Sequence, residues 1–573
     1  MKYLIPFFKK YMKESLLAPL FKMIEALCDL FVPLVVAQII DIGIAGGDRK
    51  FIAGHFAIMV LMALLGLLSS FTAQYFAAKA AVGTSAGLRH SLFKHIETLS
   101  FTELDTLGTS TLITRLTADI NSVQNGINMF LRLFLRSPFI VFGAMIMAFS
   151  INRTAGLVFA AVIPVLFIIV FGIMFITKPR YKKCQDSVDA VTASVRENLE
   201  GVRVIRAFGR EESETAQFDG ENSLLNRLQL VAGRLSALMN PLCYAAVNGA
   251  IILILMVGAK KVSGGVLLSG NVVALINYLS QILVELVKLA NLIVLLSRAA
   301  VSCGRIGAVL DTKSSMQFGN ITEGAGECAL EFENVSFKYA GAGDESLSDI
   351  SFSLNRGGVL GVIGGTGSGK STLSGLAARF YDATQGNVFF MGNNIKDWDK
   401  NALRARVSVV MQKSQLFAGT VRSNLMYGNP NASEDDMWQA LRAAQAEDFV
   451  REKPGMLDTK VEQGGRNFSG GQRQRLSVAR ALVSKPQLLI LDDSSSALDY
   501  KTDANMRKAI CNLHYKPATI IISQRTAAIE HADKILVLED GHAAGMGTHE
   551  KLLETCPVYR EIYNSASGGE SRE

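Results

Sequence analysis

Six long apolar runs in the first 300 residues, at 15–44, 52–80, 128–150, 155–177, 240–262 and 268–297, constrain this chain more than any other feature. Each is near or above the ~20 residues that an α-helix needs to cross a bilayer. In lipid a helix satisfies all of its backbone hydrogen bonds internally, which few other structures can do. The pattern therefore predicts six transmembrane helices. Three connections (45–51, 151–154 and 263–267) are short, and two (81–127 and 178–239) are long. The long ones keep a helix-compatible pattern and read as cytoplasmic continuations of the spans, with tips able to touch a soluble domain. They carry Lys79, Arg89, Lys94 and Arg115, then Lys178, Arg180, Lys182, Lys183, Arg196, Arg203 and Arg206. Loops rich in Lys and Arg stay inside, so both termini and both long loops are expected on the cytoplasmic face. Lys260 and Lys261 run against this pattern, because they fall near a predicted outer loop.

The composition agrees, with 49% hydrophobic and only 19% charged residues, on the membrane side of ordinary globular usage. The net charge of +7 fits solvated cytoplasmic loops and calls for no nucleic-acid partner. Seven dispersed cysteines without a C-x-x-C pair argue against a disulfide framework or a zinc site and fit a reducing compartment. The N-terminal MKYLIPFFKKYMKESLL lacks a small-residue cleavage site and is not read as a signal peptide. Tyr3, Leu4, Phe7 and Phe8 beside Lys2, Lys9 and Lys10 suggest a short amphipathic helix on a membrane face.

Charges inside the spans stand out. Glu25 and Asp29 lie four apart on one helix face, with Lys22 one turn earlier, and Glu285 and Lys288 are three apart in the sixth span. Intramembrane ionisable groups face a bundle interior or a watery cavity, which makes Glu25, Asp29 and Glu285 candidates for a substrate path. Intrahelical pairing near the inner interface is the other reading.

Residues 1–310 are thus read as an all-α transmembrane domain. The polar, Gly-rich stretch 311–328 reads as a linker. Residues 329–573 alternate strand-like runs (Ala329–Val335, Val359–Ile363, Val407–Met411, Ile535–Leu538) with helical patterns, an α/β domain. Within it Gly364-Gly365-Thr366-Gly367-Ser368-Gly369-Lys370-Ser371 fits the G-x-x-x-x-G-K-[ST] phosphate loop. Its glycines let backbone N–H groups close around phosphate, Lys370 adds positive charge for the β- and γ-phosphates, and Ser371 offers a hydroxyl to Mg²⁺. Further on, Arg466–Asp499 holds a Ser-Gly-Gly-Gln turn, an Arg-rich helical segment and the buried-strand run Leu488–Leu491, which ends in Asp492 and Asp493. An apolar strand delivering acids at its C-terminal end is how α/β nucleotide enzymes present groups to Mg²⁺ and water.

With these pieces in this order, the chain resembles the ATP-binding cassette (ABC) transporter family over essentially its whole length. Phe468-Ser469-Gly470-Gly471-Gln472 looks like the family signature, with Phe where Leu is usual. Tyr339 lies where the family keeps an aromatic that stacks on adenine, and Gln412 where it keeps a glutamine that senses Mg²⁺. Ser496-Ala497-Leu498-Asp499 resembles the loop that crosses the dimer interface, and Glu462 the acid that meets the partner's intracellular loops. Ser110–Gln124 and Glu197–Phe208 resemble the first and second intracellular-loop segments of the exporter branch. The resemblance implies a half-transporter in the cell membrane with its nucleotide domain cytoplasmic. Two such chains would sandwich two ATP molecules head to tail, each site combining one chain's phosphate loop with the other's signature. The implied ATP and Mg²⁺ ligands are Tyr339, Gly364, Gly367, Gly369, Lys370, Ser371, Thr372, Gln412 and Asp492 from one chain; Ser469, Gly470, Gly471, Gln472 and Asp499 serve the facing site.

The sequence departs from the family at two places. Asp493 stands where the family has the glutamate that polarises attacking water, and Gln524 where it has a histidine that contacts the γ-phosphate. Both changes imply a site that binds nucleotide and hydrolyses it slowly or not at all. The nearly intact signature then implies a heterodimer, in which a partner with intact Glu and His turns over ATP. This pattern resembles heterodimeric multidrug exporters, whose substrates are amphipathic or hydrophobic small molecules entering from the lipid. A homodimer with two weak but equal sites, an importer built on the exporter fold, and a membrane-anchored ATP sensor remain open.

Overall fold

A computed structural model describes residues 2–494 and 496–567. The chain forms two compact units, Met1–Glu97 with Ser110–Thr312, and Thr98–Thr109 with Lys313–Glu573.

The first unit holds six helical spans: Met12–Ile44, Arg49–Ile96, Thr109–Ile151, Arg153–Glu200, Glu211–Ser263 and Ser269–Asp311. The last five are 43 to 53 residues long. At ~1.5 Å per residue they exceed ~60 Å, twice a ~30 Å hydrocarbon core, so the long connections are helix, as read from their pattern. Two of the three outer turns are tight because a polar cap starts the next helix at once. Asp48 accepts from the N–H groups of Lys50 and Phe51, and Asn152 from those of Thr154 and Ala155. Lys261 also has a local reason to stand near the outer face: its Nζ donates to Asn152 Oδ1 at 2.9 Å and to Thr154 Oγ1 at 2.7 Å.

Small residues let the helices approach closely, as membrane bundles require. Ala73, Ala77, Ala80 and Ala81 of the second span are buried with Ala18 and Ala26 of the first. The opposite side of the second span presents Leu61, Leu64, Leu68 and Phe71 outward, the face that lipid would cover. The N-terminal helix Ile5–Lys10 keeps its lysines exposed but does not turn its aromatic face wholly to a membrane surface. Phe7 and Tyr11 seat on Gly87 and Gly83 of the second span, where any Cβ would clash at 2.7 and 2.2 Å, and the Tyr3 hydroxyl donates to Asp311.

The second unit is built on two sheets. The larger runs in the order His542–Gly547, Lys534–Glu539, Val359–Gly364, Ala518–Ile522, Leu488–Asp492, Val407–Val410. Only the edge pairing of His542–Gly547 is antiparallel; the other pairings are parallel. The parallel strands are runs of Val, Leu and Ile because both faces are covered, one by helices and the other by the helix Lys370–Ala377 together with the second sheet. The smaller, antiparallel sheet runs Leu347–Asn355, Cys328–Phe337, Gln385–Phe390, Asn393–Asn394. A helical region packs Val421, Leu425, Leu441 and Val450 around the signature helix Gly470–Val483. The stretch expected as a linker is strapped to this unit beyond Lys313. Gly319 N–H donates to Trp398 O at 3.1 Å, and the Arg379 guanidinium lies 4.2 Å from the Phe318 ring. Thr98–Thr109, from the first long connection, also belongs to this unit: Phe101 packs 4.6 Å from Phe380, and the Tyr381 hydroxyl donates to Asp105 Oδ2 at 2.6 Å.

Candidate functional site

Parallel strands end on one edge of their sheet, and here the ends are level. Ile522 pairs with both Val362 and Asp492, and Val410 with Leu491. The residues just past each strand therefore converge: the phosphate loop after Gly364, Gln524 after Ile522, Asp493 after Asp492, and Gln412 two residues past Val410. They line a cleft of 530 Å³ together with Thr366, Gly367, Gly369, Lys370, Ser371 and Thr372. Topology thus assembles groups that lie up to 158 residues apart in the chain, from Thr366 to Gln524, at the carboxyl edge where open α/β sheets bind ligands.

The loop itself fits a polyphosphate. Gly367 and Gly369 take φ of +87° and +95°, a region open to glycine at no steric cost. A Cβ on Gly364 would strike Leu538 O at 2.2 Å, whereas one on Gly365 or Gly367 would meet nothing within 4 Å, so at Gly367 the backbone angle and not space calls for glycine. Lys370 Nζ sits at the mouth, donating to Gly364 O at 2.8 Å and to Ser368 Oγ at 3.3 Å. Burial pushes this ammonium below the usual lysine range, while Asp492 and Asp493 pull it back up. Burial also pushes the Asp492 carboxyl above its usual range, against the hydrogen bond from Ser374 Oγ at 3.1 Å. Both shifts record a cleft where charges are costly until a ligand supplies the complement.

Asp493 is held in an unusual backbone state, φ +47°. Its N–H donates to Ile522 O at 2.9 Å, and Gln412 Nε2 donates to its Oδ2 at 3.2 Å. Gln474, which no sequence motif singles out, fixes the loop that follows. Its Nε2 donates to Asp493 O and its Oε1 accepts from Ala497 N–H, both at 3.1 Å, with the side chain buried. Arg525 adds longer contacts, 3.4 Å each, to Ser496 O and Leu498 O. Gln474 lies in the Arg-rich helical segment, and only the tertiary contact marks it.

The remaining nucleotide candidates lie outside this cleft. Ser469 caps the signature helix, its Oγ accepting from Gln472 N–H at 3.3 Å, and Gly470 and Gly471 follow at the start of the helix. Phe468, in place of the family's Leu, is buried edge-on to Phe449. Asp499 caps Tyr500–Cys511, and Glu462 is exposed. Tyr339 packs edge-on against Phe337 and Tyr381, and its hydroxyl lies 3.2 Å from Thr372 Oγ1, which does line the cleft.

In the transmembrane unit Glu25, Asp29 and Glu285 come together around one cation, Arg136. Its guanidinium meets Glu285 Oε1 at 2.5 Å, Asp29 Oδ2 at 2.9 Å and Glu25 Oε1 at 3.8 Å. Glu285 also accepts from Ser137 Oγ at 2.7 Å and Lys288 Nζ at 2.9 Å, and Lys22 Nζ pairs with Glu25 at 2.5 Å. The intrahelical pairs read from sequence are present, but the hub is an arginine of the third span. An arginine inside the apolar run 128–150 was the available signal.

Comparison with known proteins follows the same division. Residues 15–286 match the ABC transporter transmembrane region and residues 347–496 the ABC transporter family. An uncharacterised ABC transporter ATP-binding protein of Mycobacterium tuberculosis is 34% identical over 98% of this chain and 97% of its own length. An ATP-dependent lipid A-core flippase of Haemophilus influenzae is 28% identical over 99% of this chain and 97% of its own. The structure of a bacterial Atm1-family ABC exporter with ATP bound shares the fold, with a TM-score of 0.79, 22% identity and coverage of 98% and 99%. The chain belongs to the ABC transporter family, as a multi-pass membrane protein of exporter fold with a cytoplasmic ATP-binding domain that couples ATP hydrolysis to transport.

Proposed function

We propose that this chain is one half of a heterodimeric exporter, that its own ATP site is degenerate, and that the pair moves amphipathic or hydrophobic small molecules out across the cytoplasmic membrane. ABC exporters act as dimers, so each cleft is completed by a second chain. The observation that carries the reading is the pair Asp493 and Gln524, both lining the phosphate cleft where a general base and a γ-phosphate contact belong. An aspartate draws its carboxylate back by ~1 Å relative to glutamate, and misplacements of that size cost up to ~10²-fold in rate. A glutamine hydrogen-bonds but carries no charge. The cleft keeps the means to bind: the cradle, Lys370, and hard oxygen donors on Ser371, Gln412 and Asp492 that suit Mg²⁺. That ion, when bound, neutralises charge on the β- and γ-phosphates.

In this scheme Ser469–Gln472 complete the partner's site, where an intact Glu and His hydrolyse ATP. Nucleotide in both sites closes the cassettes and turns the membrane cavity outward; hydrolysis at the partner's site resets it. The chain purified alone is expected to turn over ATP roughly 10²-fold more slowly than the complex. Asp493→Glu is expected to recover only part of the difference, because Gln524 remains. Robust ATPase activity of the chain alone overturns the degenerate-site reading.

A homodimeric exporter or flippase is the second reading, supported by the lipid A-core flippase that aligns over 99% of this chain. It requires Asp493 to serve as base in two equal sites, and the same measurement decides between them. Transport direction in inside-out vesicles separates either from an importer.

A further inference from the structure

We propose that Asp29 is an exchangeable carboxylate that takes the cationic head of the transported amphiphile, which displaces Arg136 from it. This rests on the export reading above and names the substrate class: amphiphiles bearing a protonated amine.

The argument starts from depth. Asp29, Arg136 and Glu285 each lie 15 or 16 residues from the outer end of their spans, ~23 Å along a helix and so in the inner half of a ~30 Å core. Charge at that depth is tolerated where it is paired or faces a watery cavity. The three carboxylates around Arg136 are not equivalent. Glu285 has 4% of its side chain exposed and is held by Arg136, Ser137 and Lys288. Glu25 is 15% exposed and held by Lys22, with Arg136 at 3.8 Å. Asp29 is 45% exposed, and Arg136 is its only side-chain partner among the described residues, through Oδ2 alone. Its second oxygen is open to an incoming donor.

Exchange at Asp29 is also the least costly change in the cluster. If Asp29 lets go, Arg136 keeps Glu285 at 2.5 Å and Glu25 within 4 Å, so no buried cation is left bare. If Glu285 let go, a nearly buried carboxylate would lose its main cation, which is the expensive case. The arrangement therefore presents one replaceable anion on a fixed base. An ammonium docking there restores the lost pair and loosens the tie between the first and third spans, which would give the bundle a substrate-dependent change.

The test uses the full-length dimer in nanodiscs, with empty discs subtracted. Three chain-matched fluorescent probes carry dansyl at the tail and differ only at the head: 11-(dansylamino)undecylamine, the corresponding alcohol, and the corresponding carboxylate. Wild type is expected to bind the ammonium probe about tenfold or more tightly than the alcohol, the range of a charge-assisted hydrogen bond, and the carboxylate no better than the alcohol. Asp29→Asn should remove the preference and Asp29→Glu restore it. Equal binding of the ammonium and alcohol probes by wild type overturns the inference and needs no variant to fold; so does an ammonium preference that survives in Asp29→Asn. ATP hydrolysis in the same discs separates the two levels. Hydrolysis without ammonium preference sinks this inference alone. Ammonium preference without any ATP hydrolysis in discs that also hold the partner chain supports the site and overturns the export reading.

Discussion

At Lys370 the chemistry of the cleft is set by a single proton. Only the ammonium form attracts phosphate, and burial lowers its pKa. A lowered pKa means that the charged form is complete below the folded value and is lost as pH rises through it, before the ~10.4 of an ordinary lysine. Nucleotide affinity, followed with a fluorescent ATP analogue from pH 7 to 10, is therefore expected to fall earlier than free lysine would titrate. At Gln474 one amide uses both ends on the loop after Asp493. Gln474→Glu removes the donor and leaves the half-buried Asp493 carbonyl without its amide partner, a loss of about 1 kcal/mol. ATPase turnover of the complex is expected to fall with little change in ATP affinity, since Gln474 does not line the cleft. The sequence made the two kinds of residue unequally visible. Lys370 stands in a motif whose spacing is itself the geometry. Gln474 and Arg136 act through partners that the fold brings from 19 to 149 residues away; nothing local marks Gln474, and for Arg136 the local signal is only a charge within an apolar run.

At the scale of elements, the spans and strands were legible because each answers a single physical demand. Lipid requires unbroken apolar length, and a sheet covered on both sides requires runs such as Leu488–Leu491. What could not be read is where those elements put their ends to use. The first long connection is helical as expected, yet its turn, Thr98–Thr109, folds with the cassette because Phe101 finds Phe380 and Asp105 finds Tyr381. The glycine-rich stretch after Asp311 looked loose, but Gly319 and Phe318 fasten it. The amphipathic N-terminus suggested a membrane surface, while glycines of the second span offered its aromatics a groove. In each case a short segment is claimed by a partner distant in sequence.

For the whole molecule, the charge cluster around Arg136 has a consequence in time. The first span leaves the ribosome carrying Lys22, Glu25 and Asp29, of which only Lys22 and Glu25 can pair within it. Arg136 arrives 107 residues after Asp29, and Glu285 149 residues after Arg136. Until then the growing chain holds an unsettled carboxylate in the membrane, and until the sixth span is made Arg136 lacks its shortest contact. Nascent chains cut after Ser263 should therefore hold the first span loosely. A cysteine placed beside Asp29 is expected to react with a water-soluble thiol reagent in such truncated chains several times faster than in the finished protein. Synthesis of the membrane domain thus ends on the helix that closes the lock opened by the first.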